Sequence, residues 1–113
     1  MRVKAWGGRH AQSRVQATLT SKGRTCHLCE LGGANSADHN PPRSELIRAG
    51  VPDPDALRFL FPAHLLCNVL RKARPITPEL RAELRAKLLE SHRVRPARSA
   101  RFAQRIRDAA AAP

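Results

Sequence analysis

Apolar residues recur along this chain in short, separated stretches, and the spacing inside each stretch predicts the local element. In residues 9–22, Val15 and Leu19 stand four positions apart, the interval that places two side chains on one helix face, and Gly23 follows as a stop. Residues 1–8 show no period and read as an irregular arm. Residues 24–40 hold Cys26, Cys29, the pair Gly32-Gly33 and then Ala37-Asp38-His39. That order predicts a metal knuckle leading into a tight β-hairpin, its second strand stopped by Pro41-Pro42. Residues 43–50 predict one or two helical turns closed by Gly50, residues 51–55 a turn-rich connector, and Ala56–Phe61 a short apolar run before Pro62. A helix is expected from near Cys67-Asn68 to Pro75. Another opens at Thr77-Pro78-Glu79, which offers an N-cap residue, a proline at the first helical position and an acid in the first turn. Leu80, Leu84 and Leu88 then repeat every four residues, and Glu83 stands four before Lys87. Residues 94–101 read as a linker, and residues 101–112 as a further helix with Phe102 and Ile106 on one face. Short strands followed by helices give an α+β class.

Composition limits how such a chain can be stabilised. Its 113 residues suit one small domain, divided here into a basic N-terminal arm and helix (1–23), a core (24–75) and a basic helical extension (76–113). Aromatics are only 4%, so the core is thin, and a small scaffold of this kind needs a staple such as a metal. No stretch approaches the roughly 20 apolar residues of a membrane span, and no apolar run of signal-peptide length follows Met1, so the expected location is cytoplasmic. In that compartment three cysteines, two of them in Cys-x-x-Cys, read as metal or redox chemistry before a disulfide framework.

Charge changes the picture further. Residues 1–25 carry +6, residues 26–70 carry −2 and residues 71–113 carry +8. Arginine supplies 17 of the 21 basic residues, and its planar fork suits phosphate oxygens. A slightly acidic centre between two cationic arms is the footprint of a nucleic-acid binder with a metal-compatible middle.

The centre carries the candidate chemistry. Cys26-His27-Leu28-Cys29 is answered by His64-Leu65-Leu66-Cys67. Two pairs at this spacing can close a tetrahedron, and zinc accepts an imidazole in place of one thiolate. Cys26, Cys29, His64 and Cys67 are therefore the expected structural zinc ligands, with His27 a solvent-facing residue held in reserve. A redox dithiol has no βαβ pattern around it and leaves Cys67 without a role.

Between and after the knuckles stand Ala37-Asp38-His39-Asn40-Pro41-Pro42 and Pro62-Ala63-His64-Leu65-Leu66-Cys67-Asn68-Val69-Leu70-Arg71-Lys72. With Cys-x-x-Cys, this set resembles the HNH endonucleases, the ββα-metal nucleases, in particular zinc-stapled phage and actinobacterial members, over about residues 24–73. The resemblance implies a ββα-metal core and a metal-dependent DNA endonuclease. It implies His39 as general base, Asp38 and Asn68 as ligands of one catalytic Mg²⁺ or Mn²⁺, and products with 5′-phosphate and 3′-hydroxyl ends. Elementary chemistry fits these roles. An imidazole of ordinary pKa roughly 6.5 takes a proton near neutrality. Carboxylate and amide oxygens are hard donors suited to Mg²⁺ or Mn²⁺. Arg71, Lys72 and Arg74 follow Asn68 and are the candidate phosphate contacts. Small phage members of the family sit beside packaging machinery, which implies a terminase or packaging partner. The family's middle Asn, which tethers the loop of the base, has no counterpart in Leu57-Arg58-Phe59-Leu60-Phe61-Pro62; Asn40 and Ser44 are the replacements in reach. That gap supports the alternative of a non-catalytic zinc protein that binds DNA as a phage packaging or assembly accessory.

Overall fold

A computed structural model describes residues 3–92. The first helix, α1, spans Gly8–Lys22 and buries Thr18 and Leu19. Gly23 ends it at φ 85°, where a side chain would be strained, and its N–H returns to the Leu19 carbonyl. Lys22 donates to the carbonyls of Leu57 and Leu60, both at 2.6 Å, and lies over the Phe61 ring. These contacts stitch the end of α1 to the second strand.

Strand β1, Ser36–His39, pairs antiparallel with β2, Leu60–Ala63, in the register Ser36↔Ala63 to His39↔Leu60. The connection is not the tight hairpin expected in residues 24–40. Residues 40–59 separate the strands and contain α2 (Arg43–Arg48) and a 3-10 turn (Leu57–Phe59). Pro41-Pro42 therefore ends the first strand, and Pro62 lies inside the second, as a two-stranded sheet made only of edges permits. The glycine pair does a different job from a hairpin turn. Residues 24–34 close on themselves through Cys26 N–H to the Leu31 carbonyl and Ala34 N–H to the Arg24 carbonyl. Gly33 sits at φ 85° with the His64 ring against it; a Cβ there would lie 3.6 Å from Nε2. Glycine is needed for the left-handed turn; the ring itself would meet a Cβ at ordinary contact distance.

Helix α3, Leu65–Arg71, starts immediately after His64, and the Asn35 side chain accepts from the Leu65 N–H at 2.9 Å. It stops short of the expected Pro75, because Lys72 and Ala73 turn left-handed at φ 52° and 62°. The Arg74 guanidinium then covers the open carbonyls of Leu70 and Arg71. A fourth helix, α4, runs over 78–92, with Thr77 Oγ1 accepting from the Leu80 N–H at 3.1 Å. The expected linker over 94–101 and helix over 101–112 lie outside the described residues.

One buried cluster joins all three sequence segments: Leu19 from α1, Cys26, Leu28, Cys29, Ala34, Ala63 and Cys67 from the centre, and Leu80, Leu84 and Leu88 from α4. The leucine repeat is core. The described residues form a small α+β fold with a two-stranded antiparallel sheet and four α-helices. Among the described residues, no helix is long and apolar enough to cross a membrane.

Leu84 is fully buried and Leu65 is 55% exposed. Denaturant unfolding at one fixed zinc concentration should show Leu84→Ala losing about 2–5 kcal/mol, and Leu65→Ala staying within about 0.5 kcal/mol of the parent.

Candidate functional site

The two knuckles meet. Cys26 and Cys29 lie on the 24–34 loop, His64 is the residue before α3, and Cys67 is in its first turn. Their four ligand atoms all lie within 4.8 Å of one another. A zinc tetrahedron has ligand edges of roughly 3.5–3.8 Å, so the cluster could bind zinc with little movement. The three cysteines are fully buried and His64 nearly so. His64 Nε2 donates to the Gly32 carbonyl at 2.8 Å, which leaves Nδ1 as the ligand atom, 3.4 Å from Cys29 Sγ and 3.8 Å from Cys67 Sγ. The backbone N–H groups of Cys29 and His64 face Cys26 Sγ at 3.5 and 3.4 Å. Burial pushes the Cys29 and Cys67 thiols above their ordinary value, and charge on the neighbouring sulfurs pushes the same way. Thiols raised in this way give up their protons together only in exchange for a cation. From α4, Arg81 donates to the carbonyls of His27 and Leu28, and Arg85 to that of Cys29 through two nitrogens at 3.1 Å. These arginines satisfy the knuckle carbonyls and tie α4 to the loop that carries Cys26 and Cys29.

A second constellation lies on the sheet side. Asp38, His39 and Asn68 line one pocket of about 320 Å³ together with Trp6, Arg43 and Arg71. Asp38 Oδ2 accepts from Arg71 Nη1 at 2.5 Å and from His27 Nε2 at 2.8 Å. Asn68 Nδ2 donates to the Ala37 carbonyl at 3.1 Å. That bond orients the amide and leaves its oxygen, like Asp38 Oδ1, without a protein partner among the described residues. Both are hard oxygen donors.

His39 bonds through Nε2 to Asp55 Oδ1 at 2.8 Å, and the Trp6 ring stands edge-on to its imidazole with centroids 4.6 Å apart. Burial pulls His39 below its ordinary value and the Asp55 bond only partly opposes this, so the ring is neutral at neutral pH. Asp55 is 2% exposed. Burial pushes its carboxyl up, but bonds from Arg43, His10 and His39 outweigh that and hold it well below the usual carboxylate range. Arg43 reaches it through Nε at 2.8 Å and Nη2 at 3.2 Å, and His10 Nε2 at 2.8 Å.

The expected phosphate contacts take other positions. Arg71 is buried at 3% exposure, and beyond Asp38 it donates to the His39 carbonyl and Asn40 Oδ1. Arg74 pairs with Glu83 at 2.7 Å. Only Lys72 of the three is exposed without such a bond among the described residues. Ring closure on Asp38 and the helix C-terminus, rather than a solvated helix face, decides where these guanidiniums go. His27 is likewise not a solvent-facing residue: it is 17% exposed, bonded to Asp38 and packed on Phe61. Neither Asn40 nor Ser44 holds the His39 ring; Asp55 does. Sequence reasoning missed Asp55, Arg43, Trp6 and His10. Asp55 sits in Pro52-Asp53-Pro54-Asp55, where its backbone N–H donates to Asp53 Oδ1; that turn accounts for Asp53, and no local spacing marks the Asp55 carboxylate, whose partner His39 lies 16 positions away.

No known family, curated protein or solved structure matches this chain.

Titrating the metal-free protein with Co²⁺ should give thiolate-to-cobalt absorption that saturates at one equivalent, and zinc should displace it. Cys67→Ser should weaken the sulfur band and lose tertiary structure, because Cys67 anchors the helix that carries Asn68. A folded protein with no cobalt spectrum would exclude the cluster as a metal site.

Proposed function

We propose that this chain is a metal-dependent endonuclease of the HNH kind, hydrolysing DNA phosphodiester bonds with His39 as general base and a divalent ion held by Asp38 and Asn68. One observation carries the reading: the three side chains singled out by the HNH-like motifs, from two segments far apart in sequence, line one pocket. The chain order strand, strand, helix, with Asp38-His39 at the end of β1 and Asn68 on α3, fits a ββα-metal core. A single structural zinc on Cys26, Cys29, His64 and Cys67 would fix α3 against the knuckle, and so fix Asn68 relative to Asp38.

The reaction needs an activated water, compensation of charge on the phosphate, and help for the leaving oxygen. His39, neutral because buried, accepts the proton of the attacking water. Arg43 and Arg71 line the same pocket, with their guanidiniums engaged by Asp55 and Asp38. Mg²⁺ or Mn²⁺, when bound, compensates charge on the phosphate and the leaving 3′ oxygen. The net charge of +12 favours a polyanion such as DNA as the substrate.

A second reading has a specific observation behind it. Arg71 closes on Asp38 at 2.5 Å, on the carboxylate the catalytic ion would use. A pocket sealed this way, without the middle Asn, suits a non-catalytic zinc protein that binds DNA as an accessory.

Nicking of supercoiled plasmid with Mg²⁺ or Mn²⁺, against an EDTA control, separates the two. The enzyme reading expects divalent-dependent nicking that His39→Ala lowers by roughly 10²–10⁴-fold with fold and zinc content kept. Asp38→Ala and Asn68→Ala should need more Mn²⁺ and recover partly when it is raised. Metal-independent rates, or full activity in His39→Ala, would reject the mechanism.

Binding has its own test. Removing residues 93–113 deletes Arg93, Arg95, Arg98, Arg101, Arg105 and Arg107. DNA affinity should fall, and the slope of log affinity against log salt should flatten, since fewer counterions are released. An unchanged slope would show that these arginines do not touch phosphates.

A further inference from the structure

Asp55 has no place in the HNH-like motifs, yet it is the most heavily bonded carboxylate among the described residues. Its two oxygens receive Arg43 Nε and Nη2, His10 Nε2 and His39 Nε2, from three separate segments of the chain. It is 2% exposed, so water does not compete for those bonds. A carboxylate held by a guanidinium is an acceptor and nothing else. The bond from His39 Nε2 to Oδ1, 2.8 Å long, therefore requires the proton to be on Nε2. In a neutral imidazole that leaves Nδ1 as the basic nitrogen.

We propose that Asp55 is the positioning residue of the site: it selects the Nε2–H tautomer of His39 and presents Nδ1 as the nitrogen that accepts the proton of water. This rests on the nuclease reading above and fills the role left open by the missing middle Asn. Three features make the arrangement rigid. The Arg43 fork and the His10 bond fix the Asp55 carboxylate on both oxygens, so it cannot turn away from His39. The Trp6 ring, edge-on at 4.6 Å, blocks rotation of the imidazole on one side. Asp55 also remains anionic, so it stabilises the imidazolium formed once Nδ1 has taken its proton, as the carboxylate of a Ser-His-Asp triad does. The proton passes from water to Nδ1; the one on Nε2 stays where it is. The first helix becomes part of the site by the same bonds, since His10 on α1 anchors the second oxygen.

Long-range ¹H–¹⁵N correlation spectra of the zinc-loaded full chain, with His39 assigned through His39→Gln, read the tautomer directly. The parent protein should show His39 as the Nε2–H form at neutral to mildly alkaline pH. Asp55→Asn keeps the shape and removes the charge. It should give mixed His39 tautomers and lower kcat for nicking by roughly 10²–10⁴-fold, with KM for plasmid and zinc content unchanged. An Nδ1–H form of His39 in the parent overturns the proposal whether or not Asp55→Asn folds. A parent-like kcat in Asp55→Asn overturns it while leaving the nuclease reading intact. A parent that shows the Nε2–H form but never nicks DNA overturns the catalytic role together with the nuclease reading, and leaves the contact as a purely structural one.

Discussion

Cys29 and His64, 35 positions apart, bring their ligand atoms to 3.4 Å, and the described core and helix α3 are built around that meeting of the two knuckles. The described core contains three cysteines, only one residue of α1 and three leucines of α4. With so little apolar bulk, a cluster that draws two distant segments together does work that a larger core would do by burial alone. Burial and mutual repulsion both keep the thiols protonated in the absence of a cation, so closing the cluster and binding a metal are coupled. The helix α3 begins at one of the four side chains and contains another, which makes its position a direct consequence of the cluster.

What the sulfur cluster does for α3, the Asp55 cluster does for β1 and α1. Four nitrogens converge on one buried carboxylate and tie His10, His39 and Arg43 into a rigid unit. Asp38 has a comparable role one residue earlier, held by His27 from the knuckle and Arg71 from α3. The two aspartates therefore bridge the sheet to every neighbouring segment. A buried carboxylate with several charged donors is costly to break by removing one partner. Such networks fix geometry more effectively than they add net stability. That is the property a site needs when its side chains must be held within fractions of an ångström.

Arginine in this chain serves two masters. Arg71, Arg74, Arg81 and Arg85 close helix ends, knuckle carbonyls and the Asp38 carboxylate. A large positive charge on a small protein reads at first as a surface for phosphates. Here a good part of it within 71–85 is bound into the fold, and the C-terminal arginines carry the remaining case for DNA.

Much of this protein was legible without its structure. The paired knuckles, Cys26 with Cys29 and His64 with Cys67, are set by local spacing. The Val15/Leu19 and Leu80/Leu84/Leu88 faces are set by helical period, and the Thr77 cap by the residues beside it. Asp38, His39 and Asn68 were singled out by the resemblance of the motifs that carry them, and one pocket holds all three. The pairing of Ser36–His39 with Leu60–Ala63 was not, since strands of four residues carry too little alternation to name a partner across the insert. Nor were the partners of the charged side chains: Asp55 for His39 at 16 positions and for His10 at 45, Arg71 for Asp38 at 33. Period, cap and knuckle are properties of neighbouring residues, and the sequence alone determined them. Which buried charge meets which depends on how whole elements lie against one another, and only the tertiary structure, closed by the cysteine and histidine cluster, decided that.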